Sequence, residues 1–240
     1  YEHGTHFIAV TPKSKECMIK EGVNESKISI IYPGIDLSIF KPEEKDRALM
    51  ERYNIEKDTF VILFSGRLVE EKGIIYLLKA FKQLFLKHEN IKLLMLGKGP
   101  LRERILEYAK KHSLEKNIHL LGFTEYTQTH KLYNLADVFC VPSIPLYTRI
   151  LKWEEQFGYV FAEAMACGKP VVSTISGSIP EVVEDGGILV KPKNSGELAD
   201  ALISLCENGD LRKDLSRNAM RLVKERYDSK VTSKRLAELY

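Results

Sequence analysis

From residue 59 onward, short apolar runs alternate with longer amphipathic segments, and this alternation restricts the fold more than any other feature. The runs occupy residues 60–64, 91–96, 118–121, 138–141, 171–172 and 188–190. Each is too short for a helix, and most lack the polar alternation of a half-exposed strand. They read as buried parallel strands. The segments between them, 73–88, 101–112, 126–136, 159–167, 179–184 and 197–208, carry helical patterns. Strands alternating with helices imply right-handed βαβ units, hence an α/β fold with a Rossmann-like, doubly wound parallel sheet. Two more helical segments, 210–226 and 229–240, follow without an intervening strand.

The first forty residues fit this alternation less cleanly. A strand is expected over 7–10, a helix over 14–21 and a second strand over 28–31. Pro33-Gly34 and Pro42 then bracket a linker that runs into a polar stretch at 41–46. The net charge of +3 is small, and its cations are interspersed with acids, which argues against a nucleic-acid partner. The four cysteines are scattered with no zinc spacing, so a reduced, cytoplasmic chain is the expectation. No apolar run approaches the ~20 residues of a membrane span. The first residues lack a signal-peptide pattern and an initiator methionine, which reads as a fragment or a processed chain.

Two stretches hold the groups suited to chemistry. In 153–168, W-E-E-Q-F-G-Y-V-F-A-E-A-M-A-C-G, Glu155 and Glu163 flank a Phe157-Gly158 turn that opens a helix. Gly158 allows close backbone approach, and free amides at a helix start suit an anion. Glu163 lies among apolar Phe161, Ala162, Ala164, Met165 and Ala166, so it must be paired or face something polar. Taken without a motif, Glu155 reads first as a surface acid beside Glu154 in a charged turn. In 64–73, Gly66 and Gly73 permit tight turns while Arg67 and Lys72 bring two cations to the end of a strand. Ligands gather at such ends, and a pyrophosphate needs this combination of donors and charge. The other reading pairs Arg67 and Lys72 with Glu70 or Glu71 as solvated loop residues. The turn Gly97-Lys98-Gly99-Pro100 has Arg102 where a dinucleotide fingerprint has its third glycine, which weakens an oxidoreductase reading. Neither the histidines nor the acids form a cluster with metal spacing, so no metal and no cofactor is expected.

The pattern E-x7-E with Phe-Gly after the first Glu, running into E-A-M-A-x-G-x-P-V-V, resembles the nucleotide-sugar site of family-4 retaining glycosyltransferases of the GT-B fold, the group 1 glycosyl transferases. G-R-L-x-x-x-K-G at 66–73 is similar to that family's diphosphate loop. The resemblance implies the C-terminal domain of a GT-B fold at 42–226, the end of the acceptor domain plus the hinge at 1–41, and a terminal crossing helix at 227–240. It further implies metal-independent transfer of a hexosyl group from a nucleoside diphosphate sugar, of UDP or GDP, to a hydroxyl acceptor, with retained configuration. Arg67, Lys72 and Glu155 would be catalytic. Glu163 would accept from the ribose hydroxyls, Gly66 and the amides of Phe157, Gly158 and Tyr159 would bind sugar and phosphate, and the loop bearing Phe123 would lie against the base. The acceptor would be a sugar or lipid-linked sugar, which allows peripheral membrane contact. The missing N-terminal domain would be a further partner, leaving this chain inactive alone. The alternatives are a non-catalytic nucleotide-binding module or one subunit of a split transferase. A glycoside hydrolase fits less well, because its carboxylate pair usually comes from separate strands across the scissile bond.

One departure from the family pattern stands out. Between Pro142-Ser143 and Glu155 lies a longer, partly apolar segment whose Tyr147, Arg149, Lys152 and Trp153 read equally as pocket lining or as a loop packed on the facing domain. The turn at 176–181, S-G-S-I-P-E, resembles the family's G-G-x-P-E and reads as structural.

Overall fold

In the computed structural model, which describes residues 4–147 and 152–239, the chain opens with a small parallel pair, and Arg149 and Tyr240 lie outside the described residues. Strand β1 (Phe7–Ala9) leads into α1 (Pro12–Lys20) and then into β2 (Ile28–Ile30). Thr11 starts the helix with a capping box: its hydroxyl accepts from the Ser14 amide while the Ser14 side chain reaches back to the Thr11 amide. Pro12 at the first helical position costs nothing, since its missing N–H would have had no intrahelical partner. Ala9, Val23 and Ile28 form a core of their own beneath this pair.

A linker then reaches α2 (Arg47–Arg52), capped by Asp46, which accepts from the Leu49 amide at 3.1 Å. The main layer follows as β3 (Phe60–Ser65), α3 (Ile74–Phe85), β4 (Ile91–Leu96), α4 (Arg102–Lys111), β5 (Ile118–Gly122), α5 (Tyr126–Leu135) and β6 (Val138–Cys140). After a short antiparallel hairpin, β7 (Leu146–Tyr147) and β8 (Lys152–Trp153), come α6 (Tyr159–Ala166), β9 (Val171–Thr174), α7 (Ile179–Val183) and β10 (Gly187–Val190). The chain ends in α8 (Ser195–Glu207), α9 (Gly209–Leu222) and α10 (Ser229–Ala237).

The six main strands are all parallel, in the order β10-β9-β6-β3-β4-β5. All six residues of β3 are buried, because helices cover both faces of the sheet and leave no side for polar residues. On α3 the buried set is Ile74, Leu77, Leu78, Ala80, Phe81 and Leu84, the stripe that a 3.6-residue period turns toward one face. The chain winds outward from β3 through β4 and β5, then returns to place β6 on the other side of β3. The connections above β3 and β6 therefore diverge, and a crevice opens at the carboxyl ends of these two strands.

At the other end of the chain, a π-type turn over Val223–Tyr227 redirects α9 into α10. The Ile35 amide donates to the Tyr227 carbonyl at 2.6 Å, and the Ser229 amide donates to the Ile35 carbonyl at 2.9 Å. A Cβ on Gly34 would stand 2.5 Å from the Thr232 hydroxyl, so only glycine lets the linker pass so near α10. Among the described residues, no helix is long and apolar enough to cross a membrane. All four cysteines are free, with Cys140 and Cys167 buried.

Candidate functional site

Gly66 follows β3 at φ 153°, a conformation that favours glycine. Its amide donates to the Leu96 carbonyl, and the Leu68 amide donates to the Lys98 carbonyl, both at 2.9 Å. A Cβ on Gly97 would stand 1.8 Å from the Gly66 carbonyl oxygen, and one on Gly99 would stand 2.4 Å from that of Leu68. The glycines of the Gly97-Lys98-Gly99 turn thus serve the close packing of one backbone on another. They hold the 66–68 loop in shape.

Lys72 ends a single helical turn, Glu70–Lys72, that Gly73 closes in the left-handed conformation. A Cβ on Gly73 would meet the Pro142 carbonyl oxygen at 1.9 Å, so the turn docks directly on the strand-end loop after β6. The Lys72 Nζ lies 2.5 Å from Glu155 Oε2, with the two side chains only 12% and 11% exposed. Ser143 Oγ donates to the same carboxylate oxygen at 3.3 Å, and the Trp153 ring centroid lies 5.2 Å from the ammonium. Arg67 behaves differently: it pairs with Glu71 at 3.1 Å and stays 67% exposed. The surface pairing considered for both cations therefore holds for Arg67 only.

Glu163, buried on α6, accepts from the Tyr133 hydroxyl at 2.7 Å. Burial raises its carboxyl above the ordinary carboxylate range, while hydrogen bonds from Tyr133 and Tyr126 pull in the opposite direction. The Tyr126 phenol is pushed up to about 12, first by burial and then by the Glu163 charge. Two phenols at one carboxylate account for how an acid survives among Phe161, Ala162 and Ala164. Tyr126 and Tyr133 are seven apart on α5, two helical turns, which sets them on one face; that spacing was the available sequence signal.

Gly158 begins α6 at φ 75°, and a Cβ there would come within 2.5 Å of the Phe161 ring. Among the described residues, no acceptor is engaged by the amides of Phe157, Gly158 or Tyr159. The Phe157 ring points down into the core, edge-on to Tyr227 at 5.4 Å, whereas Tyr159 is exposed. Phe123 is exposed as well, with the Lys98 ammonium 5.8 Å from its ring.

Two adjoining cavities occupy the crevice. The first, of about 430 Å³, is bounded by Gly122, Phe123, Tyr126, Tyr133 and Glu163. The second, of about 450 Å³, is bounded by Lys72, Glu155, Phe157, Gly158 and Tyr159, with Val10 and Pro33 from the N-terminal segment. Ser65, Gly66, Arg67 and Val160 line both. Each residue given a catalytic or donor-binding role from the sequence thus borders this one cleft, whereas Tyr147 and Trp153, weighed as pocket lining, border neither cavity. Ser143, Tyr126, Tyr133, Val10 and Pro33 were given no such role.

The turn at 176–181 contributes through its backbone. Gly177 has φ 58°, a Cβ there would lie 2.2 Å from the Glu155 carbonyl oxygen, and the Ser178 amide donates to that oxygen at 2.8 Å. Ser178 Oγ also meets Thr11 Oγ1 at 3.0 Å, in a buried contact with the N-terminal segment. Lys13 pairs with Glu154, whose carboxylate also accepts from the Tyr147 hydroxyl. Among the described residues, no group of three or more His, Cys, Asp or Glu is placed to hold a metal ion.

A parallel sheet of this strand order, with a cleft at its switch point, has the Rossmann-like architecture of the C-terminal domain of GT-B glycosyltransferases. The protein superposes on the Anabaena HepE crystal structure in complex with UDP and glucose with a TM-score of 0.82 and 25% identity, covering 98% of this chain and 62% of that one. Residues 45–222 match the family described as glycosyl transferases group 1, and the chain belongs to that family. It is 31% identical over 221 residues to an uncharacterized glycosyltransferase of Methanocaldococcus jannaschii, over 90% of this chain and 54% of the relative. It is 29% identical over 243 residues to the lipopolysaccharide 1,2-N-acetylglucosaminetransferase of Salmonella typhimurium, over 96% of this chain and 61% of the relative. The chain therefore spans little more than half the length of these curated relatives.

Proposed function

We propose that this chain forms the donor side of a family-4-type retaining glycosyltransferase, binding a nucleoside diphosphate sugar and passing its hexosyl group to a hydroxyl of a sugar or lipid-linked sugar. The nucleoside takes the first cavity, its ribose hydroxyls donating to Glu163 and its base lying against the backbone at 122–124. The diphosphate takes the second, between Lys72, Arg67 and the amides of Phe157, Gly158 and Tyr159. As the bond from the anomeric carbon to phosphate breaks, negative charge grows on the leaving phosphate, where Lys72 and the amides stabilise it without a metal. Donors fixed in place before charge develops give the largest catalytic effect of this kind. Glu155 stands at the positive anomeric centre. The observation that carries the reading is the buried Lys72–Glu155 pair beside a cavity that ends on Glu163.

HepE, described in complex with UDP and glucose, makes UDP the first ligand to test, with GDP beside it. Calorimetry in the presence of a chelator should show one of them binding. Lys72→Ala and Arg67→Ala should each weaken it by roughly 1.5–3 kcal/mol, the loss of a charge-assisted contact. Binding that requires magnesium, or affinity unchanged in both variants, overturns the proposal.

A further inference from the structure

Trp153 is the single tryptophan of the chain, and it lies on the segment by which this sequence departs from the family pattern. The hairpin that carries it is tied down at its base. Trp153 pairs with Leu146 across the two strands, and the next residue, Glu154, is tied to Tyr147 and to Lys13. The hairpin therefore presents the indole from a fixed frame, with its ring centroid 5.2 Å from the Lys72 Nζ.

A lysine ammonium is a point charge on a flexible four-carbon stem, and its position is not set by its own geometry. Glu155 fixes Lys72 from one direction, but a diphosphate arriving in the second cavity must take that partner's place. An indole face attracts a cation through its quadrupole, more strongly where water is excluded, and does so without competing for the ammonium's hydrogen bonds. We propose that Trp153 is a positioning residue for the diphosphate-binding cation: it holds Lys72 at the cavity lined by Gly66, Arg67 and Gly158 while phosphate exchanges for Glu155. This rests on the donor reading above.

The sole tryptophan supplies its own probe. Emission of the protein without added ligand should differ between wild type and Lys72→Met, because the substitution removes the charge at the ring. UDP or GDP, whichever wild type binds more tightly, should shift the emission of wild type and not of Lys72→Met. Trp153→Leu should weaken that nucleotide roughly fivefold to tenfold, Trp153→Phe should recover most of the loss, and affinity for the parent nucleoside should stay unchanged in both. Circular dichroism confirms that each variant is folded. Wild-type affinity for the nucleotide in Trp153→Leu, equal losses for nucleotide and nucleoside, or identical emission of wild type and Lys72→Met overturns the inference while leaving the donor reading intact. A wild-type protein that binds neither nucleotide overturns both.

Discussion

A carboxylate pinned by two phenols makes the cleft sensitive to pH. In the proposed role Glu163 accepts from ribose hydroxyls more strongly when ionised, since both oxygens are then acceptors, and burial has raised its carboxyl above the usual range. Nucleotide affinity should therefore fall as pH drops through that raised value, earlier on acidification than for an exposed glutamate. Tyr133→Phe removes a hydrogen bond to the charged form, so its acid limb should lie at higher pH; coincident limbs for the two proteins in a calorimetric pH series would count against this. The same group's contribution to folding has the opposite sign. Folded Glu163 holds its proton more tightly than the unfolded chain does, so the stability it contributes is present at low pH and lost as pH rises through the folded value. The two glutamates also separate by ligand. Glu163→Gln should weaken the free nucleoside diphosphate, whose ribose the proposal sets against Glu163. Glu155→Gln should leave that affinity intact or improve it, because the Lys72 ammonium, 2.5 Å from Glu155, is then free to pair with phosphate. It should instead lower discrimination for the intact sugar donor. Titrating both variants with both ligands checks the assignment, and equal losses throughout would mean that the roles are wrong.

At the scale of elements, the cleft depends on loops that only glycine can build. Gly97→Ala would force a Cβ against a backbone oxygen at 1.8 Å, which no side-chain adjustment relieves. It should cost on the order of 3 kcal/mol or more and disturb the Gly66 loop. Gly122 has φ 72° with nothing within 4 Å of its Cβ position, so Gly122→Ala should cost only about 1 kcal/mol of backbone strain. Urea midpoints of the two variants test the contrast. The same elements mark what was legible in the sequence. Runs such as 60–64 and 91–96 were readable because strands buried on both faces are mostly apolar. The six-residue α2 was not, since it sits in a charged stretch where Asp46 reads as linker until its cap is seen. The β7–β8 hairpin has two-residue strands, too short for any alternation. Within the site, motif spacing marked Glu155 and Glu163, but the partners that hold them, Lys72, Ser143, Tyr126 and Tyr133, come from other elements. Only folding brings these together.

On the scale of the whole molecule, the cleft has one deep wall and one shallow one. The turns and helix at the strand ends supply Lys72, Glu155 and Glu163, whereas among the described residues the facing side holds Val10 and Pro33, within and just after the β1-α1-β2 unit. That unit is fastened to the site by the Thr11–Ser178 contact, the Lys13–Glu154 pair and a bond from the Lys13 amide to Glu181 at 3.3 Å. The chain covers 62% of the length of HepE, and at the other end Leu236 and Leu239 remain 37% and 38% exposed on and just beyond α10. Transfer to a hydroxyl requires that an acceptor be held against the anomeric carbon and that water be kept out, which a closing second wall provides. We therefore expect the 240-residue chain to bind its nucleotide-sugar and to transfer the sugar poorly. Its rate should lie at least about a hundredfold below that of a form carrying any coding sequence upstream of residue 1, since positioning of the acceptor is worth that much or more. The comparison needs both forms assayed with the same donor, and with hydrolysis measured beside transfer. A chain that binds donor but leaves the cleft open should release more free sugar, relative to transfer, than the longer form. Full transfer by the 240 residues alone would sink the idea and place the acceptor site on the β1-α1-β2 unit itself.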